Sequence, residues 1–201
     1  MGRKKNYDRD TLTKKAMETF RDHGFTGTST QMLVERLGVN RFSLYAEFGN
    51  KQGLFEAALE RYDEEVIERN FGPLEDPRAG TEEIRALLEF YASASKGPAL
   101  GRGCLLCNTA VEFGPVDPGG AGFVQRYFKR LSRAFCTALD NAYSRGELGD
   151  SVTPREEADF FTAAVLGLFV MTRAKAPPSF IENAAKIAIE HLEGLRIDGT
   201  R

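Results

Sequence analysis

Apolar residues recur along this chain at intervals of three and four, the spacing of one helix face, and almost nowhere in the strict alternation of a half-buried strand. The first such run covers residues 10–23, with Leu12, Ala16, Met17 and Phe20 on one face. Gly24 follows as a left-handed cap residue, and Phe25 is placed to fold back onto the last turn. Thr28 or Ser29 caps a short second helix burying Leu33 and Leu37, and Gln31 can close a capping box with Thr28. Gly38-Val39 makes a tight turn, and Asn40 caps a third short helix that runs through Phe48. Asn50 opens a long fourth helix carrying Leu54, Phe55, Ala58, Leu59, Tyr62 and Val66.

Gly72, Pro73, Pro77 and Gly80 predict a break over 72–80, after which Thr81 restarts a helix to about residue 94. Gly97-Pro98 and Gly101 interrupt again before a segment at 104–113, and a loop rich in glycine and proline covers 114–122. A helix of some two dozen residues then covers 123–145. Pro154 sits at a first helical position and opens a very apolar helix to about 174. Pro177-Pro178 punctuates, the last helix spans 179–195, and the tail 198–201 is expected to fray. The fold class is therefore all-α, with about nine helices and no internal repeat.

Composition narrows the class. The 201 residues are 42 % hydrophobic and 28 % charged, an ordinary globular balance that argues against disorder. No apolar run is long enough to span a membrane and no charged-then-apolar leader opens the sequence, so the expected location is cytoplasmic, with no membrane partner. The net charge of −2 hides an asymmetry. Residues 1–55 hold ten Lys and Arg against six Asp and Glu, while the rest of the chain is acidic. A basic head on an acidic body suggests that only the head meets a polyanion.

Residues 29–48 read as a helix-turn-helix, in which one helix braces across a duplex backbone while the other enters the major groove. An ordinary corner in a helical bundle has the same periodicity. The residues themselves separate the two. The run Gly24-Phe25-Thr26-Gly27-Thr28-Ser29-Thr30, then Gly38-Val39-Asn40-Arg41-Phe42-Ser43-Leu44-Tyr45, then Phe48-Gly49-Asn50-Lys51-Gln52-Gly53-Leu54-Phe55 closely resembles the signature of TetR-family transcriptional regulators. That resemblance implies a DNA-binding domain over 1–55 and a helical ligand-binding and dimerisation domain over 56–201. It implies a repressor released from a palindromic operator by a small-molecule inducer; an activator has the same sequence features.

The resemblance further implies that Thr28, Ser29, Asn40, Arg41, Phe42, Ser43, Tyr45, Asn50 and Lys51 form the DNA-binding surface. Arg41 suits guanine, and Phe42 suits a thymine methyl, although many relatives carry a small residue there and Phe42 can instead pack or touch sugar. Tyr45 offers a hydroxyl to phosphate or is a plain core aromatic. Thr28 and Ser29 can clamp a second phosphate, and the helix start at Asn50 and Lys51 is an anion site. Arg3, Lys4 and Lys5 form either an arm along the DNA backbone or a spectator tail.

One such domain buries too little surface for specific binding, so a homodimer on two half-sites is expected. The resemblance places its contact on the last two helices. Phe160, Phe161, Val165, Leu168, Phe169 and Met171 make the helix at 158–174 apolar nearly all round, with Gly167 allowing close approach, and Ile181, Ala185, Ile189 and Leu192 share one face of the last helix. Phe160, Val165, Leu168, Met171, Ile181, Ala185 and Ile189 are the expected interface. An inducer pocket is expected among Phe90, Cys104, Asn108, Phe113, Phe123, Tyr127, Leu131 and Phe161, aromatics with a few polar groups that suit a small, mostly apolar ligand.

Cys104, Cys107 and Cys136 are an odd number, which fits poorly with a disulfide scaffold. Cys104-Leu105-Leu106-Cys107 lacks the βαβ context of a thioredoxin-like motif, and His23 and His191 are far from it in sequence, so no metal set or cofactor is expected. Gly103-Cys104-Leu105 resembles a segment in one branch of the family, some of whose members sense electrophiles or oxidants through a cysteine there, which makes Cys104 a sensor thiol with Cys107 as resolving partner in an alternative reading. The sequence contains no catalytic Ser/His/Asp spacing, phosphate loop or H-E-x-x-H, and an enzyme is not expected. A helical interaction module without DNA binding is the remaining alternative.

Overall fold

A computed structural model describes residues 7–94, 96–114 and 122–197. It contains α1 (Arg9–His23), α2 (Thr30–Leu37), α3 (Arg41–Phe48), α4 (Lys51–Tyr62), a π turn (Asp63–Ile67), α5 (Glu68–Glu75), α6 (Thr81–Ala94), α7 (Leu105–Phe113), α8 (Phe123–Ser144), α9 (Pro154–Arg173) and α10 (Pro178–Gly194). Counting α4, the π turn and α5 as one interrupted helix, nine helices are described. The β-pairing among the described residues is one isolated bridge, Leu148 with Arg196. The tail at 198–201 and the basic segment Arg3–Lys5 lie outside the described residues.

Two helix ends differ from expectation. The helix runs through Gly72 and Pro73 to Glu75, because proline in a last turn forfeits one hydrogen bond without breaking the turn that remains. It stops at Asp76, which is extended (ψ 135°) as the residue before Pro77 must be. The last helix starts at Pro178, whose fixed φ suits a first helical position.

The chain divides into two compact units. The first comprises the residues up to Val66 together with Cys104–Val124. Its core holds the residues that the spacing picked out, Leu12, Ala16, Met17 and Phe20 of α1, Leu33 and Leu37 of α2, and Leu54, Phe55, Ala58 and Leu59 of α4, and adds Leu44 and Phe48 of α3, for which the spacing named no face. An aromatic cluster ties these helices together. Phe55 meets Phe20 edge-on at 4.9 Å and Phe25 at 4.9 Å, and Phe113 of α7 lies 5.5 Å from Phe25. A domain boundary at residue 55 leaves α7 with the body; by packing, α7 belongs with the head.

The second unit comprises Ile67–Gly103 and Gln125–Arg201. Tyr91 of α6 meets Phe169 of α9 edge-on at 4.6 Å, and Phe71 of α5 meets Phe135 of α8 at 6.2 Å. Asn70 donates to the Tyr91 hydroxyl at 3.0 Å, so the polar tip of the buried ring is paired. Arg130 bridges Glu68 and Glu75 across α5, and Arg85 of α6 pairs with Glu193 of α10.

Here the structure corrects the expected dimer contact. Val165, Leu168, Ile181 and Ala185 are buried within the single chain, so they cannot present a surface to a second copy. Met171 and Ile189 are half-buried, and of the seven residues only Phe160 is well exposed. A helix that is apolar nearly all round has two apolar faces, and spacing alone does not say which one turns inward. The outward face carries Phe160, Ala163, Gly167 and Val170 on α9, and Phe180, Ala184 and Ile187 on α10. Phe160 lies 4.6 Å from the His191 ring, which joins the two stripes. A Cβ added at Gly167 meets nothing within 4 Å, so packing within the chain does not require a glycine there.

Candidate nucleic-acid interface

Capped helix starts build the head, and three of them lie in and around the helix-turn-helix. The side chains of Ser29, Asn40 and Asn50 accept from the backbone N–H groups of Met32, Ser43 and Gly53 at 3.1, 2.8 and 2.9 Å. Each satisfies a donor that an isolated helix start leaves without a partner. Gly38 closes α2 in the left-handed region (φ 71°, ψ 30°), which turns the chain into α3 within two residues. Leu33, Leu37 and Leu44 fill the angle between α2 and α3.

This leaves the start of α3 facing outward. Arg41 is exposed, with its guanidinium 5.3 Å from the centre of the Tyr45 ring, and Phe42 is 83 % exposed. Ala46, one turn further on, is also exposed; sequence reasoning missed it, although its spacing of four from Phe42 was the signal. Ser43 is half-buried and its carbonyl lies 3.4 Å from the Tyr7 hydroxyl. Tyr45 is half-buried, and its hydroxyl shares a 2.9 Å hydrogen bond with Thr30 Oγ1. Lys51 leans over the Phe25 ring at 4.1 Å, and partial burial there holds its pKa below the ordinary lysine value, against the opposing pull of the Glu112 charge.

Thr28 does not belong to this surface. It is fully buried and its hydroxyl donates its one proton to the Gly24 carbonyl at 2.6 Å, so no donor remains for a phosphate. Ser29 alone caps α2, and Gln31 reaches Glu35 at 3.0 Å rather than closing a box with Thr28.

A second residue outside the expected set stabilises the head. Glu112 of α7 accepts from the backbone N–H groups of Phe25 at 3.0 Å and Thr26 at 2.6 Å. The contact uses a glycine: at Gly24 (φ 73°) a Cβ would lie 2.8 Å from Glu112 Oε2. Burial pushes the Glu112 carboxyl up, but the Thr26 and Phe25 donors and the Lys51 charge outweigh it and hold the pKa below the ordinary glutamate value. A carboxyl depressed on folding contributes stability above its unfolded pKa and loses it as the pH falls through the folded value. Glu112→Gln is therefore expected to be less stable than wild type at pH 7, the difference closing below about pH 4. Urea midpoints measured from pH 3 to 8 test this; parallel curves across the range contradict it.

The residues expected to line a pocket fall in both units: Cys104, Asn108, Phe113 and Phe123 in the first, Phe90, Tyr127, Leu131 and Phe161 in the second. Tyr127, Leu131 and Phe161 are fully buried core, while Phe90 is half exposed at the edge of a cleft of about 630 Å³ between α5 and α6. Asn70, Leu74 and Arg85 also line that cleft. Cys104 and Cys107 are both buried, and burial, with Cys104 adjacent, pushes the Cys107 thiol up to about 12. A resolving role needs the thiolate, which is negligible for such a thiol at neutral pH. Among the described residues no group of three or more His, Cys, Asp or Glu is placed to hold a metal ion, and no helix is long and apolar enough to cross a membrane.

Comparison with known proteins places this geometry. Residues 12–58 match the family model "Bacterial regulatory proteins, tetR family", and residues 80–188 match "Tetracyclin repressor-like, C-terminal domain". The chain is 31 % identical to the HTH-type transcriptional regulator YezE of Bacillus subtilis (strain 168), over 96 % of this chain and 100 % of that protein. It is 30 % identical to the HTH-type transcriptional repressor ComR of Escherichia coli (strain K12), over 87 % of this chain and 84 % of ComR. Among solved structures, a cysteine mutant of the TetR-family regulator CifR in complex with a 26-base-pair operator duplex superimposes with a TM-score of 0.82 at 26 % identity, over 94 % of this chain and 98 % of CifR. The helix-turn-helix, the helical second unit and these relatives agree: the chain belongs to the TetR family of bacterial transcriptional regulators and is not an enzyme.

Proposed function

We propose that this protein is a cytoplasmic repressor that binds a palindromic operator as a homodimer and is released by a small-molecule inducer. The observation that carries the reading is the exposed, Asn40-capped start of α3, with Arg41 and Phe42 presented from a packed head. CifR, similar in fold and sequence, holds operator DNA, and ComR is a named repressor. Ser29, Asn40 and Asn50 are caps, Arg41, Ser43 and Lys51 lie in first turns, and Tyr45 follows one turn after Arg41; caps and helix starts are the features that bind and orient on phosphate. The outward stripe of α9 and α10 supports a second copy as partner, since monomers rarely expose contiguous apolar faces. An inducer acts by preferring a state in which the two recognition helices are wrongly spaced, and its effect on operator affinity equals its differential affinity for the two states.

The test is binding of the purified protein to duplex DNA from its own upstream region, measured by fluorescence anisotropy over a salt series. Expected is specific binding at 50 mM salt that weakens by about three to five decades by 200 mM, as six to ten phosphate contacts require. No binding at 50 mM salt overturns the reading and favours a helical interaction module.

A further inference from the structure

The outward face of the recognition helix is chemically unusual for a surface meant to meet base edges. Phe42 is 83 % exposed and Ala46, four residues on, is exposed on the same side. Neither side chain has a hydrogen-bond donor or acceptor. Arg41 lies beside them, but its guanidinium is drawn over the Tyr45 ring. The prow of α3 is thus an apolar pair beside one cation, Arg41, rather than a polar reading head.

We infer that Phe42 and Ala46 make this protein select thymine, by burying its C5-methyl group, at the base pairs directly under α3. The inference rests on the proposed operator binding and adds which base is read there. In the major groove every base edge offers nitrogen or oxygen donors and acceptors, and the thymine methyl is the one apolar group that unmodified DNA presents. Pressing a phenyl ring on a polar edge strips water from donors and acceptors and returns no hydrogen bond, which costs free energy. Pressing it on a methyl group removes two apolar surfaces from water together. Cytosine in the same place offers an N–H donor and no methyl, so the ring disfavours it. Side chains four apart on a helix are about 5–6 Å apart, under two base steps of about 3.4 Å, so the pair addresses neighbouring base pairs. The charge beside the pair fits the same occupant, because Arg41 and the start of α3 itself favour a polyanion.

Uracil is thymine without that methyl, which gives a direct test. Duplexes are selected by the wild-type protein from a randomised pool, and each thymine of the selected sequence is then replaced by uracil in turn. Expected is a loss of affinity of about fourfold per half-site at one or two thymines, the worth of one buried methyl group. Phe42→Ala is expected to bind the thymine and uracil duplexes equally at the Phe42-dependent position. Where thymine is replaced by cytosine, 5-methylcytosine is expected to recover part of the loss. Uracil tolerated at every position, or Phe42→Ala keeping full uracil sensitivity, overturns the inference and leaves operator binding intact. Failure of the pool to yield any bound duplex overturns operator binding itself, and the inference with it.

Discussion

Ile187→Glu is expected to leave the chain folded, abolish its dimer and weaken operator binding by about two to four decades. Ile187 is 60 % exposed on α10, on the stripe that Phe180 and Ala184 continue and that Phe160, Gly167 and Val170 extend on α9. Glutamate is at least as good a helix former as isoleucine, and the side chain touches little of its own chain, so helicity should not change. In a two-fold interface the same patch meets itself, so a single substitution sets two carboxylates into one apolar contact. Each must lose its water without gaining a partner. Sedimentation at micromolar concentration reads the assembly, and anisotropy on the selected duplex reads the lost second half-site. Val165→Glu is the contrasting variant: Val165 is buried, so the charge should unfold the chain rather than merely separate two copies. A dimeric Ile187→Glu with unchanged affinity would falsify the placement of the interface on this stripe.

Phe55→Ala should destabilise the protein by about 3–5 kcal/mol. Its ring is fully buried at the centre of the head, in contact with Phe20, Phe25 and Phe113 from α1, the turn after it and α7. Removing it leaves a cavity whose walls are helix-borne rings that cannot all move in, and each loses an aromatic contact besides. For a chain of this length the melting temperature should fall on the order of 10 °C. Phe42→Ala, thirteen residues earlier and almost wholly exposed, should stay within about 0.5 kcal/mol of wild type in the same measurement while changing DNA selection. Equal stabilities for the two variants would contradict the aromatic cluster as the element that holds α1, α4 and α7 together.

The helix starts at Ser29, Asn40 and Asn50 were legible in the sequence because a cap is a local device: the side chain bonds an N–H three residues away. The core faces of α1, α2 and α4 were legible for the same reason, since a helix with one apolar face leaves no choice about which way it turns. Phe42 could be placed at the start of the recognition helix, and its spacing of four from Ala46 was there to read, but the exposure of the two was not, because exposure depends on what packs nearby. The same limit explains Thr28. The sequence showed a hydroxyl at a helix start, and the fold used that hydroxyl on the Gly24 carbonyl.

What the order of residues determined alone is therefore the set of elements and the helix-turn-helix within them, each decided by forces that reach about one helical turn. Three matters waited for the tertiary structure: which side of α9 and α10 faces inward, which polar atoms are already satisfied, and that Glu112 reaches back 87 residues to Phe25. The physical reason is common to all three. Burial and hydrogen-bond satisfaction are properties of neighbours in space, and only the packed chain decides who those neighbours are.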